Sequence, residues 1–251
     1  MSDMAVNSVE IEVGSRRDSA RALGVVMGYM CIGLLISAIT CFGFSFYFAS
    51  LITKASSEGA TSLANLEVTL LFVMIGSFIA LFVLNIILSL SLSKSKKGAW
   101  IPYILYTAVM GLALSPLTMW LRFSTIGIAF GITSGVFLVL FLIGYWSKAD
   151  LSLLGLIGLG LLFSVIFVPL PFLILFLINP LLYPIWNFVA ALIMAVVIML
   201  FVSVDANRMN KEIQGGVFTN SLALYYAYSF YSDFIMIFIR VLLIIASIKE
   251  K

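Results

Sequence analysis

Residues 196–247 contain two apolar segments joined by the polar link Asp205-Ala-Asn-Arg-Met-Asn-Lys-Glu-Ile-Gln-Gly-Gly216. Asp205 closes the first segment, and a second acid, Asp233, stands in the middle of the second. A carboxylate near the centre of a bilayer costs on the order of 2.5–3.5 kcal/mol. Buried acids of this kind often line ion or substrate pathways, so Asp233 is the first candidate for a functional residue.

The composition is that of a membrane protein with several spans. Of 251 residues, 63% are hydrophobic and 10% are charged, and the mean hydropathy is +1.20. Soluble domains carry about 25% charged residues. The net charge of +3 is small and dispersed, so we expect a lipid bilayer as the partner and no nucleic acid.

The chain contains no histidine. This excludes histidine-based catalytic triads and the commonest switch near neutral pH. Any proton chemistry must therefore fall to carboxylates, lysines, tyrosines or cysteines.

Hydropathy predicts an all-α fold with seven transmembrane helices. A polar tail, residues 1–21, precedes a single transmembrane domain, residues 22–251. A polar loop is expected at 54–65, and a proline-rich connection is expected between the fifth and sixth spans. The predicted spans are 23–52, 67–92, 100–121, 124–146, 151–173, 184–204 and 217–247.

The distribution of positive charge predicts the orientation. Cytoplasmic segments are enriched in lysine and arginine. With the N-terminus in the cytoplasm, the inner segments hold Arg16, Arg17, Arg21, Lys94, Lys96, Lys97, Lys148, Arg208 and Lys211. The outer segments then hold only Lys54, Arg122, Lys249 and Lys251. We therefore expect a cytoplasmic N-terminus and an external C-terminus.

Glycine spacing predicts where helices pack closely, because small residues let two backbones approach. The glycines concerned are Gly24, Gly28, Gly131, Gly135, Gly155, Gly158 and Gly160.

Three further ionisable residues need an explanation. Glu67 opens the second span, where an acid suits a helix N-terminus, although a site role is also possible. Arg240 shares a helix face with Asp233 but lies about 10.5 Å farther along the axis, so each is expected to find a partner on another helix. Arg240 could instead extend outward to the interface, and Asp205 could be a helix-end or loop carboxylate exposed to cytoplasmic water.

Tyr225, Tyr226, Tyr228 and Tyr231 crowd the first half of the last span. Part of this cluster fits an interfacial belt. Tyr228 and Tyr231 are also candidates to donate hydrogen bonds to a buried carboxylate.

Three blocks of sequence resemble the Bax inhibitor-1 family. Asp205-Ala-Asn207 followed by Phe230-Tyr-Ser-Asp-Phe-Ile235 looks like its paired-aspartate signature. Lys148-Ala-Asp-Leu-Ser-Leu-Leu-Gly155 looks like its turn between helices four and five, and Tyr106-Thr107, Gly111 and Pro116 look like its third helix. The chain departs from the family pattern at Val204 and Met236, and its second span has no arginine to latch the aspartates.

The resemblance implies a bundle with the seventh helix at its centre and a pH-sensitive calcium leak. Asp205 and Asp233 would form a hydrogen-bonded dyad, the pH sensor and transient calcium ligands, with Glu67, Arg240 and Tyr231 as possible gate or pathway residues. Calcium would be the transported ion and protons would bind the dyad, and we expect no enzymatic activity and no cofactor. We expect an integral multi-pass protein of a prokaryotic plasma membrane; the sequence identifies no protein partner.

Three other functions fit parts of the sequence. A proton-coupled transporter would use Asp233 as its carrier. An intramembrane aspartyl protease would also place aspartates on the last two helices. Its signatures are Tyr-Asp and Gly-x-Gly-Asp, whereas this chain has Val204-Asp205 and Tyr231-Ser232-Asp233. A non-conducting scaffold would act through membrane partners.

Overall fold

The computed structural model of the protein describes residues 10–12, 16–93, 99–167 and 182–249. This part of the chain forms seven α-helices and two short β-strands. The helices are α1 Arg16–Glu58, α2 Ala60–Ser93, α3 Trp100–Trp120, α4 Phe123–Trp146, α5 Ser152–Phe167, α6 Leu182–Gln214 and α7 Asn220–Lys249. The strands are β1 Glu10–Glu12 and β2 Val217–Thr219.

Six of these helices are long and apolar enough to cross a membrane. The apolar stretches are Ser19–Ser57, Val68–Leu92, Trp100–Thr118, Phe123–Trp146, Leu192–Gln214 and Asn220–Ile245. The described part of α5 has 16 residues, whereas a span needs about 20. The all-helical membrane architecture is confirmed, while the count of seven crossings and the central place of α7 stay predictions.

Two predicted polar connections are helical instead. The predicted loop at 54–65 is wrong, because α1 continues to Glu58 and α2 starts at Ala60. Between them lies Gly59, with φ +112°, a conformation that glycine adopts at little cost. The other residues of this segment offer no comparable helix breaker, so the helices extend through it.

The second correction concerns the polar link between the last two spans. Helix α6 continues through it to Gln214, because alanine, arginine, methionine, lysine, glutamate and glutamine are good helix formers. The helix ends before Gly215-Gly216, and Gly216 has φ +91°, as is common beyond a helix C-terminus. Helix α1 likewise begins inside the predicted polar tail, at Arg16.

Some predicted features fall outside the described residues. They are the basic turn with Lys94, Lys96 and Lys97, and most of the connection between the fifth and sixth spans, including Pro169, Pro171 and Pro180. Pro184 lies in the first turn of α6, where a missing amide hydrogen costs the helix nothing.

The chain divides into two compact units. The first unit comprises residues 1–126 and 217–231. In it, α1 and α3 pack closely enough that a side chain at Gly111 would collide with the backbone of Ser37. The Tyr103 hydroxyl donates to the Tyr29 carbonyl at 2.8 Å.

Strand β1 pairs with β2 in the same unit. The pairing is antiparallel, with Ile11 opposite Phe218, and the Phe218 side chain is fully buried. Residues 10–12 are therefore held against residues 217–219, just before α7.

The second unit comprises residues 127–216 and 232–251. In it, α4 packs against α6, and a side chain at Gly144 would collide with the backbone of Ser203. Gly155 and Gly158 of α5 face Val204 and Phe201 of α6.

The glycine prediction is thus confirmed at Gly155 and Gly158. It is wrong for the others, because a methyl group added at any of them would meet no atom of another described element within 4 Å. These positions are Gly24, Gly28, Gly131, Gly135 and Gly160.

Candidate functional site

Asp233 is a buried acid at the middle of the last helix. It is the fourteenth of the 30 residues of α7 and is only 8% exposed. Its Oδ2 atom is buried and has no hydrogen-bond partner within the described parts of the chain. A buried polar atom without a partner is costly and calls for a ligand such as water or an ion.

Aromatic residues that follow Asp233 in α7 pack against α4. The next residue, Phe234, packs its ring against Phe130 and Phe137 of α4, with centroids 5.4 and 5.7 Å away. Phe238, one turn later, also contacts Phe130. These rings hold this part of α7 against α4.

Asp205 lies within a helix and is half-buried, nine residues before the end of α6. The alternative of a loop carboxylate in open water is therefore wrong. Its charge acts on the carboxyl group of Asp233. The interaction described between the two acids is electrostatic, and the hydrogen-bonded dyad stays a prediction.

Polar contacts with α4 fix the part of α6 that carries Asp205. The Ser203 hydroxyl donates to the Leu140 carbonyl at 3.2 Å. The Asn207 amide donates to the carbonyls of Gly144 and Ser147 at 3.3 and 2.8 Å. These bonds flank Asp205 on both sides, so they set the position of α6 at this acid.

Asn210 extends the same contact by one turn. Its amide donates to the Tyr145 carbonyl at 2.7 Å. The last carbonyls of a helix have no partner within the helix, so Asn207 and Asn210 supply donors to the end of α4. Sequence reasoning missed this role. The available signal was a pair of asparagines three apart, which lie on one face of a helix.

Within the described part of the chain, the Tyr231 hydroxyl bonds to a serine and to no carboxylate, and its place in a gate or pathway stays a prediction. Its hydroxyl hydrogen bonds with Ser37 Oγ of α1 at 2.5 Å, and Ser37 also donates to the Thr107 carbonyl at 2.7 Å. Tyr231 precedes Asp233 by two residues, which places the two side chains about 200° apart around the helix. Tyr228 accepts a hydrogen bond from the Asn85 amide at 2.6 Å.

Arg240 and Glu67 are not brought to the two aspartates by any contact that the structure describes. Arg240 is half-buried in α7, and the described residues include no ion pair for it. Glu67 is the eighth residue of α2, so its expected place in the first turn is wrong. Its side chain lies outside the described part of the structure.

An ion pair connects the turn after α4 to the end of α6. Lys211 Nζ lies 2.8 Å from Asp150 Oδ1, with 48% and 70% of the two side chains exposed. Asp150 also accepts the backbone N–H of Ser152 at 3.2 Å. The hydrogen bond from Lys211 and those from Ser152 lower the pKa of Asp150 below its usual value.

The described side chains do not form a resident metal site. No three histidine, cysteine or acidic side chains gather in the parts of the chain that the structure covers. Asp205 and Asp233 are thus a pair of acids, one half-buried and one deeply buried, rather than part of a larger ligand cluster.

Comparison with known proteins gives matches to two bacterial proteins over part of the chain. A protein of Borreliella burgdorferi described as uncharacterized is 32% identical over 138 residues, which is 53% of this chain and 52% of that protein. Inner membrane protein YbhL of Escherichia coli strain K12 is 33% identical over 135 residues, 52% of this chain and 50% of YbhL. The matches therefore span about half the length of these relatives.

A family model gives the broader match. The model described as "Inhibitor of apoptosis-promoting Bax1" matches residues 21–250, which is nearly the whole chain. The earlier resemblance rested on short blocks between residues 100 and 245, and this match extends it to the first two helices. The chain is a multi-pass membrane protein and belongs to the Bax inhibitor-1 family.

Proposed function

We propose that this protein is a pH-sensitive calcium leak channel whose proton sensor is the pair Asp205 and Asp233. The observation that carries the proposal is the buried Oδ2 of Asp233, which has no hydrogen-bond partner among the described residues, together with the charge of Asp205 acting on it. Intramembrane acids cost free energy and persist where they serve ions or protons.

The pair supplies a physical basis for pH gating. Two interacting carboxyl groups in a poorly solvated site do not both ionise readily, so they titrate as a unit and retain one proton. We propose that the retained proton stabilises a closed state in which α6 and α7 are held together. Loss of that proton adds negative charge, which attracts a cation and loosens the two helices.

The number of ligands favours a leak over tight binding. Calcium takes six to eight oxygen ligands, and two carboxylates supply at most four. Water and backbone carbonyls would have to supply the remainder. Such a site binds calcium weakly and releases it readily, as a conduction pathway requires.

The proposed channel crosses the membrane seven times, and the pairing of β1 with β2 supports this number. Strands that hydrogen bond to each other lie on the same side of the membrane, so an even number of crossings separates β1 from β2. The long apolar helices between them are α1, α2, α3, α4 and α6. Because five is odd, α5 is the natural sixth crossing, and α7 then takes the C-terminus to the other side.

Calcium flux into liposomes tests the proposal. Purified protein is reconstituted around a calcium-sensitive dye, and the initial rate of dye response is measured from about pH 6 to about pH 8, across which a coupled acid pair can titrate. We expect the rate to rise with pH in the unchanged protein. We expect Asp233→Asn to remove that dependence, because the pair then has only one titrating member.

Asp150→Asn is the matched control, because it removes a carboxylate that is exposed and paired with Lys211. It should leave the pH profile unchanged. Absence of flux in the unchanged protein, or an unaltered pH profile in Asp233→Asn, contradicts the channel proposal. Uptake of an organic solute driven by a proton gradient and lost in Asp233→Asn would identify a transporter instead.

A further inference from the structure

Glu212 is a third acid on the face of α6 that carries Asp205. The two residues are seven apart in one uninterrupted helix, so they share a face and are separated by about two turns, or about 10.5 Å along the axis. Glu212 lies toward the end of the helix, two residues before Gln214.

One carboxylate oxygen of Glu212 is buried without a partner. Its Oε2 atom has no hydrogen-bond donor within the described ranges of the chain. Of the neighbouring bases, Lys211 is engaged with Asp150. Arg208, one turn earlier, is exposed and makes no ion pair with Glu212 in the part of the chain that the structure describes. A buried carboxylate oxygen without a donor is costly, so this atom is suited to receive a cation or its water.

A second observation also indicates a place for a cation or its water. The side chain of Asp233 is more than nine-tenths buried, and its Oδ2 also lacks a hydrogen-bond partner among the described residues. Asp205 shares a helix face with Glu212, and its charge acts on Asp233. Asp205 therefore shares a helix face with one buried carboxylate oxygen and acts electrostatically on the residue that carries the other.

We propose that Glu212 is the entrance ligand of a cation path that runs from Glu212 past Asp205 to Asp233. The proposal rests on the leak function proposed above and adds a residue to its pathway. The spacing of about 10.5 Å between the first two acids is too long for both to bind one ion, since calcium–oxygen distances are about 2.3–2.6 Å. A hydrated divalent cation would therefore pass from one acid to the next instead of being held by all three.

The test compares calcium flux in the unchanged protein and in Glu212→Gln, with calcium added on the side of the α6 C-terminus. A single sign of charge at an entrance raises the local concentration of counter-ions by about tenfold or more. We expect Glu212→Gln to lower the initial rate of calcium flux about tenfold at low calcium concentration. At saturating calcium the reduction in rate should be smaller. Glu212→Asp, which keeps the charge, should restore most of the rate.

The pH profile separates the entrance from the sensor. Glu212→Gln should keep the pH midpoint of calcium flux of the unchanged protein, whereas Asp233→Asn should abolish the pH dependence of flux. Asp150→Asn again serves as the control for removing one exposed negative charge from the same end of α6. If the unchanged protein conducts and Glu212→Gln conducts equally well at low calcium, the entrance proposal is overturned while the channel proposal stands.

A chemical modification made after reconstitution covers the case in which Glu212→Gln does not fold. In Glu212→Cys with Cys31→Ser and Cys41→Ser, position 212 carries the single thiol, because the chain has two cysteines. A methanethiosulfonate with a sulfonate group should raise calcium flux, and one with a quaternary ammonium group should lower it. A thiol that reacts with neither reagent would show that position 212 is closed to water, which also overturns the proposal.

Discussion

The amide of Asn207 on α6 donates to the carbonyl oxygen of Ser147, just beyond the end of α4, at 2.8 Å. The same amide reaches the Gly144 carbonyl at 3.3 Å, so one side chain serves two carbonyls near the end of α4. This contact lies two residues after Asp205, and it ties the register of α6 to that of α4. The position of the half-buried acid thus depends on an asparagine whose amide bonds to the end of α4.

Replacing Asn207 should lower stability. Asn207→Ala leaves two carbonyls without this donor, and we expect a loss of about 1–2 kcal/mol in the free energy of unfolding, the range measured for hydrogen bonds in proteins and membranes. Thermal unfolding in detergent measures the change. Gln214→Ala, at an exposed position in the same helix, is the control, and equal melting temperatures for the two variants would contradict the role of Asn207.

Gly144 sets the distance between α4 and α6. A methyl group there would collide with the backbone of Ser203, so Gly144→Ala should push the helices apart and lower stability by about 1–3 kcal/mol. Gly131→Ala in the same helix is the matched control, because nothing in another described element lies within 4 Å of the added methyl group. It should be neutral or stabilise by up to about 1 kcal/mol, since alanine favours helix. An equal loss of stability in both variants would contradict the role of the close approach at Gly144.

The sequence predicted the positions of the apolar helices well, because a membrane span needs a run of about 20 apolar residues and such runs are unmistakable. It failed at 54–65 and at 205–214, where polarity suggested loops. Polarity reports where a helix leaves the membrane, whereas the end of the helix is set by backbone conformation. Gly59 and Gly216, with φ of +112° and +91°, are the residues that end these helices.

The site was predictable only in part. Asp205 and Asp233 were singled out because acids in apolar helices are conspicuous, and the charge of Asp205 acts on Asp233. Their role as the proton sensor stays a proposal. The partners of Tyr231 and Asn207 could not be predicted, because they lie 194 and 60 residues away in sequence. Hydropathy assigns a side chain to the bundle but does not say which neighbouring helix it faces.

Tyr231 should contribute to stability and not to proton sensing. Its hydroxyl is bonded to Ser37 Oγ, so Tyr231→Phe removes that bond while keeping the ring against Tyr103 and Tyr106. We expect a loss of about 1 kcal/mol in the free energy of unfolding and an unchanged pH midpoint of calcium flux. A shifted pH midpoint would show that Tyr231 takes part in proton sensing. The control is Tyr225→Phe, at an exposed position in the same helix.

The ion pair between Lys211 and Asp150 should stabilise the protein only above the acid range. The hydrogen bond from Lys211 lowers the pKa of Asp150 below the usual 3.8. A lowered pKa in the folded state means that the stabilisation is fully present above pH 3.8 and is lost as the pH falls through the folded-state value. The pair is exposed, so we expect a small contribution that salt screens.

Lys211→Met tests this pH dependence by removing the partner of Asp150. Its melting temperature should fall below that of the unchanged protein near neutral pH, and the two should converge as Asp150 becomes protonated in acid. High salt should reduce the difference near neutral pH, because both side chains face water. Arg208→Met, which removes an exposed cation from the same helix without breaking a described ion pair, is the control. A difference that persists unchanged below the titration of Asp150 would assign the effect of Lys211 to its aliphatic packing rather than to its charge.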